Sequence, residues 1–325
     1  MGAAFFVAMN LCLRQPEQMI KYTLLALFVI LIGIAIWFFR LGGPAQLDLA
    51  DRLYWGGGER KPAVVETNVH YGPDGDPAQV YDVYHPVATG TTGANCGGQT
   101  FPTLIFFHGG SWRDGNRHNY GFVGRAFAER GFYVVVTDYR KLPTSRYPDF
   151  IKDAARVIAD IHKTPRPCAD PSQLYLMGHS AGAHISMLAA LDKQWLDQED
   201  MSSNIIAGVI GLAGPYDFLP FTTDAAKAAL GKWPKPEETQ PIHYARSDAP
   251  PLLLLHGDTD ETVKPRNSTA LAAAILTQNG KARTKIYSGI DHADIIMAIA
   301  RPFRQKATVL EDVVSFVKGR GKPSP

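Results

Sequence analysis

Leu174-Tyr175-Leu176-Met177-Gly178-His179-Ser180-Ala181-Gly182-Ala183-His184-Ile185 is the stretch from which the rest of the chain can be read. Four apolar residues form a short strand, and Ala183 to Leu191 reads as a helix. Between them stands Gly178-x-Ser180-x-Gly182, the pattern of a nucleophile elbow. A strand that turns this sharply into a helix brings neighbouring backbones so close that only glycine fits on either side. The turn lifts the Ser180 hydroxyl off the sheet edge, and the helix N-terminus points its free N–H groups at any negative charge forming beside it.

Outward from the elbow, the pattern alternates. Thr103 to Phe107, Phe132 to Thr137, Ile205 to Leu212, Leu252 to Leu255 and Thr284 to Tyr287 read as apolar strands. Helices are predicted between them over Asn119 to Arg130, Asp149 to His162 and Lys264 to Asn279, with a last helix carrying Val309, Leu310, Val313, Val314 and Val317. In the second of these, Ile151, Ala154, Ala155, Ile158 and Ile161 share one face at helical spacing. Continuous apolar strands alternating with amphipathic helices predict an α/β protein whose mostly parallel sheet is covered on both faces. Val64 to His70 and Val80 to Tyr84, joined through Gly72-Pro73-Asp74-Gly75-Asp76-Pro77, predict an antiparallel hairpin before it. Thr89 to Thr100 reads as a Gly/Thr loop. The stretch 215–248, rich in Pro, Phe and Trp, breaks the rhythm and reads as a small cap insertion over the C-terminal sheet edge.

Acyl transfer by a serine needs a base for its proton, a carboxylate to orient that base, and donors for the oxyanion. The strand Leu252 to Leu255 ends in His256-Gly257-Asp258-Thr259-Asp260-Glu261-Thr262-Val263, and the last strand is followed by Gly289-Ile290-Asp291-His292. Both segments fall at C-terminal strand ends, where open parallel sheets place their ligands. Asp260 is the expected acid; spacing alone leaves Asp258 and Glu261 as rivals. His292 is the expected base, because it alone among ten histidines follows the last strand. His108 and His256 precede glycines in strand-end turns and are expected to hold loops in shape, and neither His179 nor His184 is expected to be the base. His108-Gly109-Gly110-Ser111-Trp112 follows the first buried strand, and its glycines would let backbone N–H groups approach a tetrahedral oxygen. The oxyanion donors are assigned to the amides of Gly110, Ser111 and Ala181. Phe218, Phe221 and Trp233 are candidates to line the pocket.

Composition narrows the remaining classes. A net charge of +2 with no Lys/Arg run argues against a nucleic-acid partner. There is no internal repeat, no phosphate-loop or dinucleotide glycine pattern and no metal-ligand spacing, so neither cofactor nor metal is expected. Oligomeric state is not readable. At the N-terminus, Tyr22 to Phe39 runs without a charge between Lys21 and Arg40, with Trp37 near one end. Such a run is about long enough to cross a bilayer. The expected layout is a tail over 1–21, a retained single-pass anchor over 22–39, a linker over 40–62 and a catalytic domain over 63–320. Gly43-Pro44-Ala45 offers a cleavage site as the alternative, which would make the protein secreted.

His108-Gly109-Gly110-Ser111-Trp112, Asp138-Tyr139-Arg140, Leu174 to Ile185, His256-Gly257-x-x-Asp260-x-x-Val263 and Asp291-His292 together resemble the α/β-hydrolase superfamily. More closely, they are similar to small carboxylesterases related to hormone-sensitive lipase and to BD-FAE-like hydrolases. The segment around Ser180 also looks like isoprenylcysteine methylesterases and, less closely, kynurenine formamidases. The resemblance implies an α/β-hydrolase fold and a serine carboxylesterase acting through Ser180, Asp260 and His292; because the insertion over 215–248 is too small to be an elaborate lid, short or medium acyl esters are the expected substrates. It also implies that the strand before His108 neighbours the elbow strand, which would bring Cys96 and Cys168 to one edge and allow a disulfide. Such a bridge favours an extracytoplasmic domain behind the membrane anchor. Two other functions are weighed: an amide or formamide hydrolase or peptidase on the same three residues, and a non-catalytic binding module on the same scaffold.

Overall fold

The computed structural model describes residues 19–33, 42–54, 65–73, 75–86 and 96–319. By its contacts the chain divides into two compact units, Met1–Gln46 and Leu47–Pro325. In the first unit, helix α1 covers residues 19–33. The expected membrane anchor over 22–39 is corrected here: among the described residues no helix is long and apolar enough to cross a membrane. The described part of that run, 19–33, is shorter than the roughly 20 residues a crossing needs. The single-pass membrane localisation, and the membrane as a partner, lose their basis with it. The tail before residue 19 and the end of the expected anchor, 34–39, lie outside the described residues, as do 55–62 of the expected linker and 89–95 of the Gly/Thr loop.

The expected linker contains a helix instead, α2 (Gly43–Leu53), with Asp48 and Asp51 buried. Both carboxylates meet Arg125, at 2.7 and 2.8 Å, and Asp51 also meets Arg301 at 3.3 Å. These partners lie 74 or more positions away along the chain, so local polarity read as a linker what the fold uses as a charged seam.

Among the described residues, eight strands form one sheet: β1 (Val65–His70), β2 (Val80–Tyr84), β3 (Phe101–Phe107), β4 (Tyr133–Thr137), β5 (Ala169–His179), β6 (Ile206–Leu212), β7 (Leu252–Gly257) and β8 (Ala282–Tyr287). Their order is β1-β2-β4-β3-β5-β6-β7-β8. β1 and β2 are antiparallel, β2 meets β4 antiparallel, and β4, β3, β5, β6, β7 and β8 run parallel. This is an α/β-hydrolase fold. The helices are α3 (Gly121–Ala128), α4 (Asp149–Lys163), α5 (Ala181–Leu191), α6 (Gln194–Asp197), α7 (Asp224–Leu230), α8 (Arg266–Thr277), α9 (Asp294–Met297) and α10 (Val309–Lys318).

Strand alternation sorts the core onto two faces. Ile105, Phe107, Leu176, Val209 and Leu254 pack with Ile151, Ile158, Leu188 and Ile275, the inner stripes of α4, α5 and α8. Leu104, Phe106, Met177, Ile210 and Leu255 face the other way, onto Phe127 and Val123 of α3 and Leu310 and Val313 of α10. Every residue of α5 is buried, because β5 and β6 lie beneath this helix and other segments cover it. Between β6 and β7, the segment expected as a cap carries α7 and two short 3₁₀ turns, Pro236–Thr239 and Pro241–Tyr244.

The order in which successive strands are added reverses between the parallel strands β3 and β5. From β3 the chain crosses to β4 on one side, and from β5 it crosses to β6 on the other. The C-terminal ends of β3 and β5, with Phe107 registered against Gly178, therefore open a crevice at a topological switch point.

Candidate active site

Ser180 occupies that crevice. It follows the last residue of β5 and precedes α5, with φ 55° and ψ −122°, a backbone conformation that a side chain adopts only under constraint. Its N–H donates to Leu212 O on β6 at 2.9 Å, and its carbonyl accepts from the His184 N–H at 3.1 Å. Gly182 faces the end of β3, where a Cβ would collide with Phe107 O. A Cβ at Gly109 would lie 2.9 Å from His179 Nδ1, so a side chain there would push the loop after β3 away from Ser180.

The loop after β8 carries His292 to the same point from 112 residues away. His292 Nε2 lies 2.9 Å from Ser180 Oγ, and Nδ1 lies 2.7 Å from Asp260 Oδ2. An ionised carboxylate only accepts, so Nδ1 carries the proton and Nε2 presents its lone pair to the serine hydroxyl. Asp260, 1% exposed in the turn after β7, has its other oxygen fixed by the amides of Thr262 (2.9 Å) and Val263 (2.8 Å). Burial works against its charge, but hydrogen bonds from His256, His292 and the Val263 amide outweigh it and hold the carboxyl well below its ordinary range.

The rivals for this role are engaged elsewhere. Asp258 Oδ1 accepts from the Gly289 amide at 2.7 Å, and Glu261 pairs with Lys264 at the surface. Asp291 accepts from the amides of Ala293 and Asp294, which shapes the turn into α9.

Ser111 and Ala181, two of the expected oxyanion donors, share with Ser180 the wall of a cavity of about 330 Å³. Gly110 stands beside them with φ 127°, its carbonyl accepting from the amides of Arg113 (3.0 Å) and Asp114 (2.7 Å) and so closing the loop. Phe218, Leu219, Pro220, Thr262 and Lys264 also line the cavity. Of the aromatic residues expected there, Phe218 lines it. Phe221 lies against Phe218, with ring centroids 5.6 Å apart, and Trp233 packs on Tyr147 and donates to Glu238 at 2.9 Å.

Four more histidines surround these groups. His108, stacked on Tyr139 at 4.5 Å, anchors the loop after β3, whose carbonyl at position 108 accepts from Tyr139 Oη at 2.8 Å. His256 accepts from Ser268 Oγ at 2.8 Å and directs Nε2 at Val263 O (2.8 Å) and Asp260 Oδ2 (3.2 Å). His184 Nε2 donates to Thr239 O at 2.8 Å, while Nδ1 accepts from the Trp112 indole at 3.3 Å. His179 Nε2 lies 2.9 Å from His292 O. Burial, and for His179 also the neighbouring His292, pushes the two rings flanking the serine down, to about 3 for His179 and about 4 for His184. Both are neutral at pH 7. Their contacts could not be read from the sequence: only their placement one residue before and four after Ser180 marked them.

Cys96, ahead of β3, and Cys168, ahead of β5, are joined by a disulfide with Cα atoms 5.6 Å apart. Among the described residues no cluster of His, Cys, Asp and Glu suited to a metal ion occurs.

The family model of BD-FAE matches residues 92–275, more than half of the chain. The probable isoprenylcysteine alpha-carbonyl methylesterase of Oryza sativa subsp. japonica is 30% identical over 240 residues, covering 66% of this chain and 57% of its own. Esterase LipQ of Mycobacterium tuberculosis is 26% identical over 287 residues, covering 81% and 65%. The chain thus spans little more than half the length of the first of these relatives. Among solved structures, esterase B from Lactobacillus rhamnosis superposes with a TM-score of 0.68 at 21% identity, covering 84% of this chain and 91% of that one.

Proposed function

Because the chain belongs to the BD-FAE family of α/β-hydrolases, we propose that it is a serine carboxylesterase using Ser180 as nucleophile, His292 as base and Asp260 as the acid that orients the base. The observation that carries this reading is the continuous hydrogen-bonded line from Asp260 through His292 to Ser180 at the wall of a cavity.

In the first half-reaction His292 Nε2 takes the Ser180 proton as Oγ attacks the ester carbonyl. The carbonyl oxygen becomes an oxyanion held by the amides of Ser111 and Ala181, with Gly110 as the third expected donor. One such donor is typically worth about 3 kcal/mol of barrier. Collapse breaks the ester C–O bond, His292 returns the proton to the departing alcohol, and the acyl group stays on Oγ. Water then repeats the sequence: His292 accepts its proton, the hydroxide oxygen bonds to the acyl carbon, and the acid leaves as Ser180 regains the proton. Asp260 stays ionised throughout and stabilises the imidazolium.

A cavity near 330 Å³ lies toward the small end for ligand sites, which supports short or medium acyl esters. The test is turnover of ester, formamide and peptide panels by the purified chain and by Ser180→Ala. Ester hydrolysis should dominate and should vanish in the variant while its fold persists. Undiminished ester turnover by Ser180→Ala would place the nucleophile elsewhere; dominant formamide or peptide cleavage would replace the substrate class.

A further inference from the structure

His292 sits on a loop between β8 and α9, and two kinds of contact place it. Its side chain is oriented by Asp260. Its backbone carbonyl is met by His179 Nε2 at 2.9 Å, across 113 residues of sequence. His179 is the terminal residue of β5, registered against Leu212 of β6, so this donor projects from a rigid strand end. Its ring also lies against the His292 ring, with centroids 5.0 Å apart and planes 40° to one another.

The tautomer follows from the partners. A carbonyl oxygen only accepts, so the single proton of a neutral His179 belongs on Nε2; on Nδ1 it would leave two lone pairs facing each other. His179 Nδ1 is buried and has no hydrogen-bond partner, and Gly109 on the other side of the ring has no side chain to give it one. A buried imidazole with one nitrogen unsatisfied carries a cost that an apolar residue of similar shape would avoid. What the histidine supplies in return is one donor, directed at the main chain of the expected base.

We propose that His179 is a positioning residue for His292: its Nε2–H tethers the His292 carbonyl, fixing the loop so that Nε2 of His292 remains in line with the Ser180 hydroxyl. The inference rests on the reading of Ser180 and His292 as nucleophile and base. Displacing a reacting group by about 1 Å can cost on the order of 100-fold in rate, so a tether acting only on the loop can be strong in kcat. The cavity beside Ser180 is lined by Ser111, Ala181 and Phe218 and not by His179, so KM should not follow.

The test compares His179→Phe, which keeps a ring and removes the donor, with His179→Gln, whose amide nitrogen can again reach the carbonyl. For each, kcat and KM on p-nitrophenyl acetate, the rate of Ser180 phosphonylation by a fluorophosphonate, and the thermal midpoint are measured. His179→Phe should lose roughly 10- to 100-fold in kcat and in phosphonylation rate, with KM within about twofold and a near-native midpoint. His179→Gln should recover most of both rates. Rates within twofold of wild type in His179→Phe overturn the inference, as does a Gln variant no faster than Phe at equal stability. Ser180→Ala separates the two failures: turnover that survives in it sinks the esterase reading and the tether together, whereas turnover lost in it but kept in His179→Phe sinks the tether alone.

Discussion

His256 Nε2 stands 3.2 Å from Asp260 Oδ2, the same oxygen that His292 Nδ1 approaches at 2.7 Å. Two ring N–H groups thus converge on one carboxylate oxygen, while the other oxygen is filled by two backbone amides. The site needs an acceptor, and a charged one, at both oxygens.

Asp260→Asn fits the same space with the wrong hydrogens. With its carbonyl oxygen on the Thr262 and Val263 amides, its NH₂ would confront the N–H of both rings. His292 would then turn to the tautomer protonated at Nε2, which cannot take the serine proton. A fall in kcat of about 10⁴ is expected with a near-native thermal midpoint. The check is kcat on p-nitrophenyl acetate; a loss under tenfold would remove Asp260 from the relay.

The rings of His179 and His184 make stability depend on mild acid. Their folded pKa values, about 3 and about 4, lie below the ordinary 6.5. The unfolded chain therefore binds protons first as pH drops. The stabilisation is fully present above about pH 6.5 and is lost as pH falls toward the folded values, at roughly 1.4 kcal/mol per pH unit for each ring. His184→Gln keeps a donor for Thr239 O and removes one titration. Between pH 6 and 4.5 its unfolding free energy, from urea melts, should fall less steeply than wild type by about one proton. Equal slopes would mean that His184 is already charged in the fold.

Cys96 and Cys168 close a loop with a sequence separation of 72. In the chain-entropy description such a cross-link stabilises by about 4 kcal/mol. The double variant Cys96→Ser/Cys168→Ser should melt markedly lower by calorimetry. Its kcat at 20 °C should stay within about twofold, because the bridge ties β3 and β5 at the ends remote from Ser180. A collapse of kcat with stability intact would show that the bridge reaches the site.

The order of the parts is legible in the sequence alone. Ser180, Asp260 and His292 could each be picked because a glycine turn or a strand end marks them locally, and the fold brings those three side chains within hydrogen-bonding distance. The alternating strands and helices were legible for the same reason, since burial on both faces leaves unbroken apolar runs such as Leu252 to Leu255. What escaped was long-range. Nothing beside Asp48 and Asp51 announces Arg125 or Arg301, so α2 read as a linker. The duties of His179 and His256 depend on a carbonyl and a carboxylate that only the assembled fold supplies. At the N-terminus the anchor expected over 22–39 finds no support, since among the described residues no helix is long and apolar enough to cross a membrane.

Helix α5 carries a consequence for biosynthesis. Its residues are all shielded in the finished molecule, by α4 and β3 from earlier in the chain and by β6 and the Pro241–Tyr244 turn from later. On a ribosome the second half of that shield is made only after about 50 further residues, some 3–10 s at usual elongation speeds. During that interval the nascent polypeptide exposes a greasy segment with no polar side to turn toward water.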